Sequence, residues 1–283
     1  MTLTSCSNPN ESLELRAPMT KQLGILVSSY DAYSDLWPPF FVAFHRSWPD
    51  CPFQMYLLSN RITFPDPTVK PILVGDVTAW PESIRLALEQ ISEDFVLLFL
   101  EDWFLQKQVD TGRILRLVEW VTTQRPACIR LQPAAGMVPS EFKGICHLPP
   151  GIPYRSSTVL SLWRKDVLLA LLRPDETIWQ FEIQGSVRTD KYPDFYATEE
   201  TYLHCLHGVI RGKWIARVRK TLIASGLPVQ TQSRSLFSFS DHIAQLGRFM
   251  RSRALKLIPI QYQRRIRLWF VSSSRTSAVA GKK

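Results

Sequence analysis

The chain has 283 residues, 45% of them hydrophobic and 11% aromatic, and a formal net charge of +9. This globular composition excludes collagen-like, mucin-like and wholly disordered chains, and the length suffices for one large α/β domain or two small ones without disulfide staples. Charge is uneven: 16 basic residues and one acid, Asp241, lie from residue 211 onward, with 18 basic and 24 acidic residues before it. The body is therefore −6 and the tail +15, an asymmetry that points the tail at a polyanionic partner.

Residues 1–20 are polar and aperiodic and read as a disordered leader; Asn10, Glu11 and Glu14 stand where a signal peptide needs an unbroken apolar run. The fold begins at Leu23-Gly24-Ile25-Leu26-Val27, a strand buried on both faces, which ends at Ser28-Ser29-Tyr30-Asp31. Pro38 and Pro39 open a helix carrying Phe40, Phe41, Phe44 and Trp48, and strands follow over 53–58 and 69–74. Pro81 opens a helix with the stripe Ile84, Leu88 and Ile91, and Phe95-Val96-Leu97-Leu98-Phe99-Leu100 is the strongest strand pattern of the chain.

Asp110 or Thr111 caps the next helix, whose inner face is Ile114, Leu117, Val118 and Val121. Residues 132–153, rich in Pro and Gly, read as a long loop, 157–162 as a strand, 165–172 as a helix and 177–185 as a short helix or turn. From Ser233 onward, Ile243, Leu246, Phe249, Met250, Leu255 and Ile258 alternate with Arg248, Arg251, Arg253 and Lys256, a basic amphipathic helical pattern. Strands alternating with helices over the first 130 residues imply an α/β fold with a mostly parallel central sheet flanked by helices. The expected division is 1–20 leader, 21–230 α/β domain and 231–283 basic extension.

The five cysteines (Cys6, Cys51, Cys128, Cys146 and Cys205) are scattered and odd in number. They form no disulfide framework or zinc pattern, and fit a reducing, cytoplasmic setting. No apolar run is long enough to span a membrane. Gly-x-Gly-x-x-Gly, the P-loop and Gly-x-Ser-x-Gly are all missing, so dinucleotide oxidoreductases, P-loop kinases and α/β-hydrolases lose their usual marks.

In open α/β sheets ligands bind beyond the carboxyl ends of the strands. The first strand delivers Ser28, Ser29, Tyr30 and Asp31, which either hold a base and ribose or simply make a turn. The fourth delivers Glu101-Asp102, adjacent carboxylates that suit a hard divalent cation or else form an ordinary polar strand end. Glu200, His204 and His207 fall at helical i, i+4, i+7 spacing, as metal ligands or as surface or core side chains. Arg211, Lys213 and Arg217 either meet a diphosphate or begin the basic tail.

The order strand-Ser-Ser-Tyr-Asp, Ala79-Trp80-Pro81-Glu82-Ser83-Ile84-Arg85 opening a helix, and Phe95 to Leu105 with Glu101-Asp102-Trp103 resembles nucleotide-sugar glycosyltransferases of the GT-A fold (Rossmann-like), the bacterial surface-polysaccharide branch above all. The resemblance covers roughly residues 21–220. It implies Asp102 as ligand of a divalent metal (Mn or Mg) with Glu101 beside it, although the family's Asp-x-Asp is incomplete here. It also implies Ser28 to Asp31 and Arg85 at the nucleotide, Glu182 as the base deprotonating the acceptor, and Trp179 stacking on an acceptor ring. A solvated helical Glu beside a core Trp is the alternative for that last pair.

The expected activity is transfer of a sugar from a nucleotide diphosphate, UDP by family frequency, to a glycan or lipid-linked acceptor, with inversion. The basic tail would dock on an anionic membrane surface, making the enzyme peripheral on the cytoplasmic face; no specific nucleic-acid motif is present. The rival reading is an inactive α/β scaffold whose tail binds polyanions.

Overall fold

The computed structural model describes residues 22–238, 241, 262–266 and 268. The leader 1–20 and the amphipathic run 243–258 lie outside these residues, and so do the structural expectations attached to them. Within them, nine strands form one sheet in the order β3-β2-β1-β4-β9-β6-β10-β8-β7. The strands are β1 (Leu23–Ser28), β2 (Gln54–Ser59), β3 (Val69–Leu73), β4 (Phe95–Leu100), β6 (Cys128–Arg130), β7 (Val138–Pro139), β8 (Ile145–His147), β9 (Ser161–Arg164) and β10 (Phe195–Thr198). Only β9 and β8 run against the rest. The fold is α/β with a mostly parallel central sheet flanked by helices, as expected from the sequence.

Alternation along the central strands divides the apolar side chains between two cores. Leu23, Ile25, Val27, Phe95, Leu97 and Phe99 face one side, where α1 (Trp37–Ser47) and α3 (Thr111–Gln124) cover them. Leu26, Leu58, Val96 and Leu98 face the other, under α2 (Trp80–Gln90) and α4 (Lys165–Leu171). Both α1 and α2 start on a proline in the first turn, where its missing N–H has no intrahelical partner to lose. Asp110 caps α3, accepting from the Arg113 amide.

Two segments depart from the sequence reading. Residues 132–153 are not loop throughout: β7 and β8 add an antiparallel ladder beyond β10, with Pro139 on the edge strand, where no ladder partner is needed for its nitrogen. The strand expected over 157–162 starts only at Ser161, because Leu160 is left-handed (φ 47°) and breaks the extended run. The freed loop is buried and organised by Arg155, fully enclosed, which donates to the carbonyls of Leu148, Thr189 and Tyr192.

A smaller layer sits past the carboxyl end of β4. There β5 (Trp103–Leu105) pairs with β11 (Cys205–His207), and β12 (Val209–Ile210) pairs with β13 (Lys213–Trp214) around Arg211-Gly212, both at positive φ as a tight hairpin turn requires. Gly208 joins the two ribbons where a Cβ would lie 2.5 Å from the Phe104 ring, so only glycine fits. Helix α5 (Ala216–Ala224) follows, and the chain then returns: Leu236 bridges Trp214, while the Phe237 amide donates to the Trp214 carbonyl.

Candidate functional site

The chain lays down β1, β2 and β3 in one direction, then crosses back to place β4 on the other side of β1. Such a reversal opens a crevice at the carboxyl ends of the two central strands. A cavity of about 420 Å³ lies there, within the range of ligand-binding pockets. Its walls include Ser28, Ser29 and Tyr30 after β1, Asn60 after β2, Glu101 and Asp102 after β4, and Trp179 from the helical stretch 178–188.

Six of the residues singled out in the sequence thus meet at one cavity: Ser28, Ser29, Tyr30, Glu101, Asp102 and Trp179. The serine hydroxyls accept from indole N–H groups, Ser29 from Trp37 (2.7 Å) and Ser28 from Trp80 (3.1 Å), which leaves each O–H to donate elsewhere. Tyr30 is half exposed and its ring lies 4.7 Å from that of Tyr33, a second aromatic on the wall. Burial, then the neighbouring Tyr30, pushes the Tyr33 hydroxyl up to about 12, so it is a neutral donor.

Asp31, Arg85 and Glu182 are not among the cavity's walls. The Asp31 carboxylate accepts the amides of Asn60, Arg61 and Ile62, tying the turn after β1 to the turn after β2. Arg85 is held on the surface of α2 between Glu82 and Glu89. Glu182, half-buried in a π-helical turn (Phe181–Gly185), accepts from the backbone N–H and hydroxyl of Thr158 (3.0 and 2.9 Å). Burial raises its carboxyl above the usual range, against the two Thr158 bonds and the charge of Arg130.

The helical alignment of Glu200, His204 and His207 does not form. Residues 199–204 are not helical, Glu200 pairs with Arg113, and His207 belongs to β11. The β5–β11 ladder sets His207 opposite Trp103, stacked on it at 5.0 Å. His207 Nε2 thereby reaches Asp102 Oδ2 at 3.2 Å, a pairing that helical spacing conceals. The other Asp102 oxygen, Oδ1, is buried with no hydrogen-bond partner. Burial and the adjacent Asp102 charge hold the Glu101 carboxyl well above the usual range, so it favours the protonated form.

For a divalent metal, the unsatisfied Oδ1 of Asp102 is a ready hard donor. Among the described residues no three His, Cys, Asp or Glu side chains cluster closely enough to hold a metal ion. These residues offer one unpaired carboxylate oxygen and do not by themselves make a metal site.

Sequence reasoning missed Asn60, Tyr33 and Thr78, and gave Trp80, part of the helix-opening segment, no role of its own. Asn60 was within reach of the strand-end rule, since it follows β2 directly; its side chain spans from the Asp31 amide to the carbonyls of Gly75 and Val77. Of the basic residues after β11, Arg211 sits in the hairpin turn and Lys213 pairs with Asp241 at 2.8 Å. No helix among the described residues is long and apolar enough to cross a membrane.

No protein-family model and no curated protein matches the chain. Among solved structures it is similar to S. aureus TarS 1–349, with 11% identity over 64% of this chain and 59% of that one and a TM-score of 0.44. It is similar to the mannosyltransferase PcManGT from Pyrobaculum calidifontis in complex with GDP-Man and Mn2+ (12% identity, 68% and 58% covered, TM-score 0.45). A third is CMP:2-keto-3-deoxy-manno-octonic acid synthetase complexed with CTP (11%, 72% and 98%, 0.42). The chain spans about three fifths of the length of TarS 1–349 and of the mannosyltransferase, and 41% of the longer TarS chain.

Proposed function

We propose that the protein is a GT-A-type glycosyltransferase that takes a sugar from a nucleotide diphosphate, UDP as the first candidate, and transfers it with inversion to a glycan or lipid-linked acceptor in surface-polysaccharide assembly. One observation carries this reading. The cavity at the β1–β4 crossover brings hydroxyls, an aromatic wall and the Asp102 carboxylate to the place where an α/β sheet binds nucleotides.

In this reading the exposed ring of Tyr30 stacks on the base with Tyr33 packed behind it, and Ser28, Ser29 and Asn60 meet the ribose. The protonated Glu101 donates to a ligand oxygen without adding charge beside a diphosphate. Asp102 would hold a divalent metal, Mn or Mg, which would supply charge compensation for the leaving diphosphate. Trp179, 66% exposed at the cavity mouth, offers a face on which an acceptor ring stacks. Glu182, three residues further along the same helical stretch and behind the cavity wall, is the proposed base, taking the proton of a hydroxyl of an acceptor seated beyond Trp179. The new bond forms at the anomeric carbon as the carbon–oxygen bond to the diphosphate breaks and its electron pair leaves with the diphosphate.

Calorimetry with UDP, with and without Mn2+, on the wild type and Asp102→Ala tests the reading. Metal-dependent binding that the variant loses supports it. If UDP and the other nucleoside diphosphates all fail to bind, the inactive scaffold takes its place. The tail is the proposed anchor on anionic lipid at the cytoplasmic face, with ten Lys and Arg after Asp241 at about 1 kcal/mol each near such a surface. A chain ending at Asp241 should fail to sediment with anionic vesicles that bring down the full-length protein.

A further inference from the structure

We infer that Arg234, in the chain's returning C-terminal segment, is a positioning residue that fixes the aromatic wall of the cavity, and so makes ligand affinity depend on the docking of that segment. The site it acts on is the nucleotide cavity proposed above.

The geometry is specific. The side chain of Arg234 is 8% exposed and grips Asp35 with Nε and Nη2, at 2.8 and 2.6 Å. Nη2 also donates to the Ala32 carbonyl (2.7 Å) and Nη1 to that of Gly212 (3.5 Å). The guanidinium carbon lies over the Tyr33 ring, 3.9 Å from its centroid, a cation–π contact. Ser233 adds a second tie to Asp35, at 2.6 Å. Asp35, Ala32 and Tyr33 all belong to the short 3-10 turn Asp31–Leu36 that follows β1, and Tyr33 packs on Tyr30.

Asp31 ties the start of that turn to the turn after β2, while the stretch from Ala32 to Asp35 is held by Arg234 and Ser233. The turn's own capping position, Tyr30, makes no side-chain capping bond, and of its six residues only Leu36 is buried. Arg234 therefore supplies an external clamp that engages four N–H groups of its rigid fork, a role a lysine cannot fill because its ammonium offers neither the fork nor the planar stack. The clamp is anchored at its other end. Leu236 bridges Trp214, the Trp214 amide donates to the Ser235 carbonyl, and Lys213 pairs with Asp241. The hairpin that receives it adjoins His207, the partner of Asp102. One segment thus holds the aromatic wall and the ribbon next to the carboxylate.

The test compares wild type, Arg234→Ala, Arg234→Lys and, as a stability control, Val121→Ala in the core under α3, all in the full-length protein. Amide exchange is read at 31–36 and at 54–59, and UDP affinity with Mn2+ by calorimetry. Arg234→Ala should speed exchange at 31–36 while leaving 54–59 unchanged, and weaken UDP about tenfold, equivalent to ~1.4 kcal/mol. Arg234→Lys should fall between, and Val121→Ala should lose thermal stability without losing affinity. Unchanged exchange at 31–36 in Arg234→Ala overturns the proposal, and so does an equal loss of affinity in Val121→Ala. If the wild type binds no UDP, the nucleotide reading fails, and the exchange measurement still decides whether Arg234 holds the wall.

Discussion

His207 Nε2 lies 3.2 Å from Asp102 Oδ2 across 105 residues of sequence, while Asp102 Oδ1 is buried without a partner. One oxygen is oriented by the protein, and the other is the one a metal would take on the proposed reading. An outer partner of this kind tunes a metal-binding carboxylate, and its loss typically costs ~10–100-fold in affinity. His207→Ala should therefore weaken metal-dependent UDP binding by that order with little change in thermal midpoint. An unaltered dissociation constant would reduce the pair to a structural tie.

Glu182→Gln preserves volume and an oxygen for Thr158 but removes the base. If Glu182 deprotonates the acceptor, turnover should drop ~10²–10⁴-fold. Because burial raises its carboxyl, wild-type activity should climb with pH through a value above the ordinary glutamate figure of about 4.3. That acid limb should vanish in the variant; a wild-type profile in Glu182→Gln would reassign the residue to holding the 154–160 loop.

Glu101 carries a stability signature of opposite kind to a salt-bridged acid. Burial, then the adjacent Asp102 charge, raises its folded carboxyl well above the unfolded one, so between the two values the folded chain keeps a proton that the unfolded chain has lost. The stability it contributes is complete below about pH 4.3 and is lost as pH rises through the folded value. Glu101→Gln removes the titration, so urea unfolding should show the variant gaining on the wild type between pH 4.5 and 8, by on the order of 1 kcal/mol. Parallel pH curves for the two proteins would contradict the buried, protonated state.

Arg155 touches no ligand surface and is the strongest structural prediction. It is fully buried, donates to three backbone carbonyls and packs 4.3 Å from the centre of the Phe195 ring; its burial pulls its pKa down to about 10. Arg155→Met fills the volume yet strands those carbonyls, and should cost roughly 3–5 kcal/mol in urea unfolding. A loss under 1 kcal/mol would mean that water replaces the guanidinium.

The parts of the fold that could be read from the chain are those fixed by local chemistry. Leu23 to Val27 and Phe95 to Leu100 are apolar without interruption because both faces of their strands are covered, and Pro38, Pro81 and Asp110 mark helix starts by their own backbone and side-chain preferences. The strand-end rule then put Ser28, Ser29, Tyr30, Glu101 and Asp102 at one edge, and the structure gathers all five around one cavity. The errors come from reading spacing without backbone conformation. Leu160 turns left-handed inside an apparently extended run, and the 200–207 residues that look helical instead deliver a strand.

By itself, the sequence determined the α/β class, the central strands and the acidic and aromatic residues at their carboxyl ends, since hydrophobic periodicity and capping act over a few residues. Only the tertiary structure decided which of those residues share a site. Asp31 is drawn away by three amides of the next turn, Arg85 by two glutamates on its own helix, and His207 is brought to Asp102 by a ladder with no local signal. Arg234, one positive charge among many in a basic tail, becomes a buried clamp because Asp35 and Tyr33, 199 and 201 residues earlier, supply the carboxylate and the ring that a guanidinium fork requires.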